Sequence, residues 1–253
     1  MIIGVNGYSG VGKDTVGIII QYLMCANKGS LTIEDVIADY ESHEWWLEEQ
    51  SGWQIKKFAG KLKQIATILT GIKEKKFEDQ EFKKTYMSEE WWTTKDDTVI
   101  KMTVRDFLQK LGTDALREGL HENIWVNALM SDYQPIVDLQ TFRYAKEYSD
   151  TREFTEDNKT FSVRELLEYL KEVPRPKWII TDVRFINEAK AIKDVQGKII
   201  RINRTDFNPI NAHPSEIALD DWQFDYTIDN NGSLLDLQES IKNILTNEKI
   251  QLG

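Results

Sequence analysis

Cysteine is nearly missing: Cys25 is the only one in 253 residues. That removes any disulfide framework or cysteine-based zinc cluster. Cys25 itself falls on the apolar face of an expected first helix and reads as a small buried hydrophobe rather than a nucleophile. Long apolar runs are lacking too. The stretch from Ile2 to Ile20 is interrupted by glycines, Lys13 and Asp14, so nothing reads as a membrane span. Positive charge is the scarcer sign, with 32 Lys and Arg against 42 Asp and Glu and a net charge of −10. This disfavours a partner that is a nucleic-acid polymer or a membrane surface, while leaving room for a local basic pocket. There are no internal repeats and no low-complexity tracts. The first residues already read as strand, with no charged leader or cleavage site, so no secretory signal is expected. What is present is a globular composition, 41% apolar and 29% charged, long enough for one α/β domain with insertions.

One stretch carries the strongest chemical signal: Gly7-Tyr8-Ser9-Gly10-Val11-Gly12-Lys13-Asp14-Thr15. It follows an apolar run, Met1 to Val5, that reads as a buried strand, and precedes Val16 to Met24, which reads as a helix. The spacing G-x-x-x-x-G-K between strand and helix is that of a phosphate-cradling loop. Glycines let several backbone N–H groups turn inward as an anion nest. The helix start adds its positive end, and Lys13 supplies a mobile point charge. Asp14 stands where a Ser or Thr usually meets magnesium. A carboxylate beside phosphates calls for a divalent cation between them, so Asp14, with the Thr15 hydroxyl, is the candidate metal pair.

The first helix is expected to stop near Asn27-Lys28-Gly29. The acidic stretch from Leu31 to Gln50 reads as an excursion before the sheet resumes at Gln54 to Phe58. Gly60 to Leu69 has a helical stripe, with Lys61 and Lys63 at its start. Residues 72–100 are polar, and packing is the favoured role for Trp91-Trp92. Thr103 to Leu111 reads as a helix carrying Arg105 and Gln109 at i, i+4. It is expected to end at Gly112, with Thr113 or Asp114 capping the turn that bears Arg117. Asn123 to Met130 places Trp125 on a buried face. Residues 131–176 read as an insertion or flap, with a short helix over Val163 to Leu170.

Lys177 to Asp182 is the clearest later strand, and it ends in an acid at the edge where parallel sheets bind ligands. Asp182 reads either as a partner of the metal shell or acceptor, or as the N-cap of the segment starting at Arg184. Phe185 to Ile192 reads as a helix and Lys198 to Asn203 as a fourth strand. A loop over residues 204–214 follows, with Arg204 at its root as a charge clamp or a plain surface residue. Ser215 to Leu219 reads as a short helix and Asp225 to Ile228 as a fifth strand. Asn230-Asn231-Gly232 is a turn, and a closing helix capped by Ser233 runs to Leu245. Alternating strands and helices predict a parallel five-stranded sheet in the order 2-3-1-4-5, with helices on both faces.

Together these stretches resemble the deoxynucleoside monophosphate kinases of bacteriophages, within the P-loop nucleoside monophosphate kinase superfamily. The matching residues are Ser9 to Thr15, Lys57-Phe58-Ala59-Gly60-Lys61-Leu62-Lys63 and Leu108-Gln109-Lys110-Leu111-Gly112-Thr113. They continue with Arg117, Trp125, Thr181-Asp182-Val183-Arg184-Phe185-Ile186-Asn187-Glu188-Ala189, His213-Pro214-Ser215-Glu216 and Asp229-Asn230-Asn231-Gly232. The chain is similar, more distantly, to phosphomevalonate kinases, which share the Asp after the loop Lys. The resemblance implies a three-layer P-loop kinase fold over residues 1–253, with an acceptor-binding helical region at about 59–130 and a lid-like loop at about 204–214. It implies that Ser9, Gly10, Val11, Gly12, Lys13, Asp14 and Thr15 hold ATP with Mg2+. Lys61, Lys63, Arg105, Gln109, Arg117, Asp182, Arg184 and Glu188 are implied to surround the acceptor nucleotide. Trp125 packs near the base or simply in the helix core. His213 and Glu216 lie near the closing loop or act as a structural cap. Catalysis is assigned to Lys13, Asp182, Arg184 and Arg204. The implied reaction is phosphoryl transfer to a deoxynucleoside monophosphate in the cytoplasm, or the host cytoplasm for a viral chain. The alternatives are a kinase of another small phosphorylated acceptor, and a non-catalytic ATP-sensing module. A homodimer is left open.

Overall fold

The structure is a computed structural model that describes residues 1–136, 153–156, 159–162, 173–205 and 217–252. Its centre is β1 (Ile2–Asn6), a strand buried along its whole length. Such a strand needs apolar residues on both faces, and Ile2, Ile3 and Val5 supply them. Around it lie β2 (Trp53–Lys56), β7 (Lys177–Ile180), β8 (Lys198–Asn203) and β9 (Tyr226–Asp229), all parallel, in the order β2-β7-β1-β8-β9. Counting these five alone in chain order, the arrangement is the expected 2-3-1-4-5. The labels are higher because two antiparallel hairpins intervene: β3 (Thr93–Lys95) with β4 (Thr98–Ile100), and β5 (Glu153–Glu156) with β6 (Lys159–Ser162).

Side chains alternate across the central strands. Ile3, Val5, Ile179, Ile200 and Ile202 face one core, packed against α1 (Lys13–Met24), α2 (Ile33–Ala38), α3 (Tyr40–Ser51) and α8 (Leu234–Asn247). Ile2, Trp178, Ile180 and Ile199 face the other core, against α4 (Phe58–Thr70), α6 (Ile124–Met130) and α7 (Ile186–Asp194). The result is a three-layer α/β architecture with helices on both faces, as a P-loop kinase fold has. A third, smaller core of Ala66, Phe77, Met87, Val104, Phe107 and Leu108 joins α4 to α5 (Val104–Gln109). Trp91 packs edge-on against Phe107 with ring centres 4.8 Å apart, and Trp92 Nε1 donates to the Met87 carbonyl at 2.9 Å. Both tryptophans therefore serve packing. Cys25 is fully buried.

Gly17 on α1 decides how deeply that helix sits. A Cβ there would lie 2.8 Å from Thr181 Cγ2 and 3.1 Å from Ile55 Cδ1, so only glycine allows this approach of helix to sheet.

Some expectations need correction. The stretch from Leu31 to Gln50 is not an excursion but the helices α2 and α3, which pack onto α1. Thr32 and Asp35 form a capping box, Asp39 caps α3, and Ile33, Val36 and Leu47 are buried. The first helix stops at Met24, short of Asn27. Gly112 does not end a helix. The chain passes from α5 straight into a π-helical stretch, Lys110–Glu118. Gly112 is there for close approach, because a Cβ would meet Leu62 Cδ2 at 2.8 Å. No side chain caps that stretch, so neither Thr113 nor Asp114 has the expected role. The expected helix at 163–170, most of the insertion at 131–176, most of the loop at 204–214, and His213 and Glu216 lie outside the described residues. Among the described residues, no helix is long and apolar enough to cross a membrane.

Candidate active site

All five main strands end at one edge, and the candidate residues gather there, as ligand sites do in open parallel sheets. β1 ends at Asn6, whose side-chain amide donates to the Val183 carbonyl at 2.8 Å and ties β1 to the chain leaving β7. The loop after it turns on Gly7, Gly10 and Gly12, with φ of 152°, 85° and 99°. Val11 is fully buried and pins the loop to the core, and Asn230 Nδ2 donates to the Val11 carbonyl at 2.9 Å. Ser9 and Gly10 are exposed, and Thr15 lies in the first turn of α1. Gly12 occupies the N-cap position of α1 and no side chain caps the helix. No side chain therefore takes up the first amides of α1. Lys13 Nζ donates to the Tyr8 carbonyl at 2.6 Å, folded over the cradle.

Asp14, at the exposed rim, accepts from Thr181 Oγ1 at 2.6 Å and pairs with Lys57 Nζ at 3.1 Å, both through Oδ1. Partial enclosure pushes its pKa up. Lys57 and the Thr181 hydroxyl outweigh that, so the carboxyl stays below its usual range. Beneath the loop, the buried Arg201 donates to Asn6 Oδ1 at 2.5 Å and to Asp220 Oδ1 at 2.9 Å. Its guanidinium lies 4.8 Å from the Tyr8 ring centre, and the Tyr8 hydroxyl donates to Asp220 Oδ2 at 2.8 Å.

One strand over, Asp182 is buried, and its two oxygens accept from the backbone amides of Phe58 and Ala59 at 2.8 and 2.9 Å. It caps α4, a helix 120 residues away in sequence, rather than the segment after Arg184. Burial raises its pKa, against the pull of those amides and of Arg184 and Lys57. Glu188, also buried, accepts from the amides of Arg184 and Phe185 at 2.8 and 3.1 Å and from Arg117 Nη2 at 3.1 Å. The Arg117 guanidinium stacks 3.8 Å from the centre of the Phe185 ring. Burial, and then the neighbouring Asp182, push Glu188 up to about 7.

These groups wall a cleft of about 270 Å³ whose lining includes Lys63, Gln109, Arg117, Trp125, Asp182, Arg184 and Glu188. Trp125 is fixed by its indole N–H on the Gly112 carbonyl at 3.0 Å. Three candidates lie apart from this cleft. Lys61 pairs with Asp132 at 2.7 Å and lines a wider neighbouring cleft of about 830 Å³. Arg105 is exposed and donates to Gln80 at 3.3 Å. Arg204 is exposed beside the undescribed loop. Sequence reasoning passed over Lys57, Lys83 and Arg201. Lys57 opens the run Lys57 to Lys63 and could have been found by its place at the end of a strand. Nothing local marks Lys83 or Arg201. Among the described residues, no three His, Cys, Asp or Glu side chains converge as a metal cage. A magnesium ion that keeps most of its waters needs only one or two protein ligands.

A scan against protein-family profiles matches none. Among known proteins, the chain is similar to one from Acanthamoeba polyphaga mimivirus, provisionally named deoxynucleotide monophosphate kinase. The two are 26% identical over 210 residues, covering 80% of this chain and 88% of that protein. That similarity, with a glycine-rich loop between β1 and α1 on a sheet of this order, supports a nucleotide-kinase relationship. The bacteriophage part of the resemblance rests on the sequence motifs alone.

Proposed function

We propose that this protein transfers the γ-phosphoryl group of ATP to a deoxynucleoside monophosphate, releasing ADP and the deoxynucleoside diphosphate. The observation that carries the reading is a juxtaposition. An uncapped helix start inside a glycine loop stands one strand away from a cleft lined by Arg184, Arg117 and Lys63. Asp14 and Lys57 join the two. One anion site of this kind suits a triphosphate, and a cationic cleft beside it suits a second phosphate.

When bound, ATP supplies the phosphoryl group and Mg2+ neutralises charge on its outer oxygens. The remaining work belongs to this chain. Ser9 to Thr15 fit the phosphate tail: no side chain caps the start of α1, and Lys13 Nζ lies on the Tyr8 carbonyl of the same loop. Asp14 and Thr15 would face the water shell of the metal, with Lys57 and Thr181 fixing the Asp14 carboxylate. Arg184 and Arg117 would hold the acceptor phosphate in line, and Glu188 keeps Arg117 in place over Phe185. A phosphomonoester has its second pKa near 6, so the attacking oxygen is already anionic at neutral pH and no general base is required. Alignment and charge neutralisation do the rest. In this reading residues 59–130 form the acceptor-binding region, and Arg204 is the charge clamp on the transferring group.

The test is ADP release in the presence of ATP and Mg2+ across dAMP, dCMP, dGMP, dTMP, hydroxymethyl-dCMP, the ribonucleotides and phosphomevalonate. Release that depends on a deoxynucleotide supports the reading. Release with phosphomevalonate alone would replace it with the other acceptor class. ATP binding with no acceptor-dependent release would leave a nucleotide sensor.

A further inference from the structure

Beside the smaller cleft, the Glu78 carboxylate meets one lysine directly and feels the charge of two more. Lys63 Nζ is in direct contact with Glu78 Oε1. Lys83 Nζ lies 3.5 Å from the Glu78 carbonyl oxygen and shares the lining of the smaller cleft with Lys63. Lys57, paired with Asp14, lines the wider cleft together with Glu78. The environment of Glu78 agrees with this geometry. Partial burial pushes its carboxyl up, but Lys63, Lys57 and Lys83 more than compensate and hold it below its usual range. Conversely, burial and the nearby Lys63 charge push Lys83 down.

The two partners of the contact are not equivalent. The Lys63 side chain is only 9% exposed, whereas that of Glu78 is 50% exposed. Lys63 is a fixed cation on α4 that needs an anion beside it at all times. Glu78 hangs from a segment anchored by the fully buried Phe77, and its carboxylate has solvent to move into. It also carries a single negative charge, fewer than a phosphomonoester, which carries close to two at neutral pH. A phosphomonoester therefore offers Lys63 more negative charge than its present partner does.

We infer that Glu78 is an internal stand-in for the phosphate of the acceptor. Its carboxylate holds the place on Lys63 that a phosphomonoester takes on binding, with Lys83 on the same wall, and it withdraws further into the wider cleft that it already lines when the acceptor enters. This rests on reading the smaller cleft as the acceptor site. It adds a binding residue, Lys83, and a displaceable self-contact that sets acceptor affinity.

The experiment measures binding directly. Dissociation constants for inorganic phosphate and for dGMP are determined by calorimetry for the parent, Glu78→Gln and Lys83→Met. Glu78→Gln keeps the shape and removes the competing charge, so it binds both ligands about fivefold more tightly, the scale of a partly exposed ion pair. Lys83→Met, altering a partly exposed side chain, binds both more weakly by a similar factor. Unchanged or weaker binding by a Glu78→Gln protein that melts cooperatively would overturn the inference, as would unchanged affinity in Lys83→Met. Acceptor-dependent ADP release by the parent is measured in parallel. Its absence would sink the kinase reading, while the order of phosphate affinities among the three proteins still decides the anion site.

Discussion

α1 and α4 begin at the same edge of the sheet, and their first turns are treated in opposite ways. α1 starts at Gly12 with no side-chain cap, whereas α2, α3, α5 and α8 are capped by Thr32, Asp39, Thr103 and Ser233. α4 starts beneath the carboxylate of Asp182, brought from a distant strand to occupy its first two amides. Each orphan amide group at a helix start must find an acceptor. At α4 the protein supplies that acceptor, and at α1 it leaves room for one from outside. In the proposed reading the contrast separates a terminus built for stability from one built for a ligand, so damage to each should show in a different assay.

The largest effect is expected at the open terminus. Lys13→Ala should lower turnover by roughly 10²–10³-fold, the scale of losing one group that stabilises developing charge. Its stability should change by only about one hydrogen bond, 0.5–1.5 kcal/mol. Steady-state kinetics alongside denaturation checks both, and normal turnover would break the comparison. Next in size is the acid beside the plugged terminus. Glu188 has its pKa moved from 4.5 to about 7, first by burial and then by Asp182. The folded protein thus holds this proton more tightly than the unfolded chain does. Its contribution is complete below pH 4.5 and is lost as pH rises to about 7, a change on the order of 3 kcal/mol. Glu188→Gln should show a shallower decline in melting temperature over that window, and an undiminished slope would contradict the placement.

Asp182→Ala should strand the amides of Phe58 and Ala59 and cost about 1–3 kcal/mol in urea unfolding. Asp182→Asn keeps a side-chain oxygen and should recover much of that loss. If the alanine variant were as stable as the parent, Asp182 would not be the cap of α4. The smallest effect is Gly12→Ala. Its φ of 99° disfavours a side chain, and the new Cβ would sit 2.9 Å from Asn230 Nδ2, an amide that can yield. A cost of about 1 kcal/mol is expected, with weakened ATP binding as the readout that links it to the open terminus.

Much of this contrast was legible in the sequence. The glycine spacing around Lys13 and the apolar strands at 2–5 and 177–180 are local patterns, and they were enough to place the loop and the order of the sheet. The motif around Asp182 to Glu188 was equally visible, but the target of the Asp182 cap was not. It bonds to a helix more than a hundred residues away, and local capping rules look only to the next turn. Lys57, Glu78 and Lys83 are ordinary charged residues in a charged region, and only tertiary packing of the segment carrying Phe77 shows which of them meet. Residues 33–51 were misread because their apolar positions are few and their acidic residues many. The capping box at Thr32 and Asp35 was there to be read.

The depth of α1 against the sheet has a further consequence. Gly17 acts as a shim with its thickness removed: without a methyl group there, the helix settles until Asp14, one turn back, meets Thr181 just past the end of β7. In the proposed reading, the spacing between donor and acceptor phosphates is thus set in part by this approach of helix to sheet. Under that proposal, restoring that one carbon would widen the gap between donor and acceptor by a fraction of an ångström, at a step where alignment governs rate.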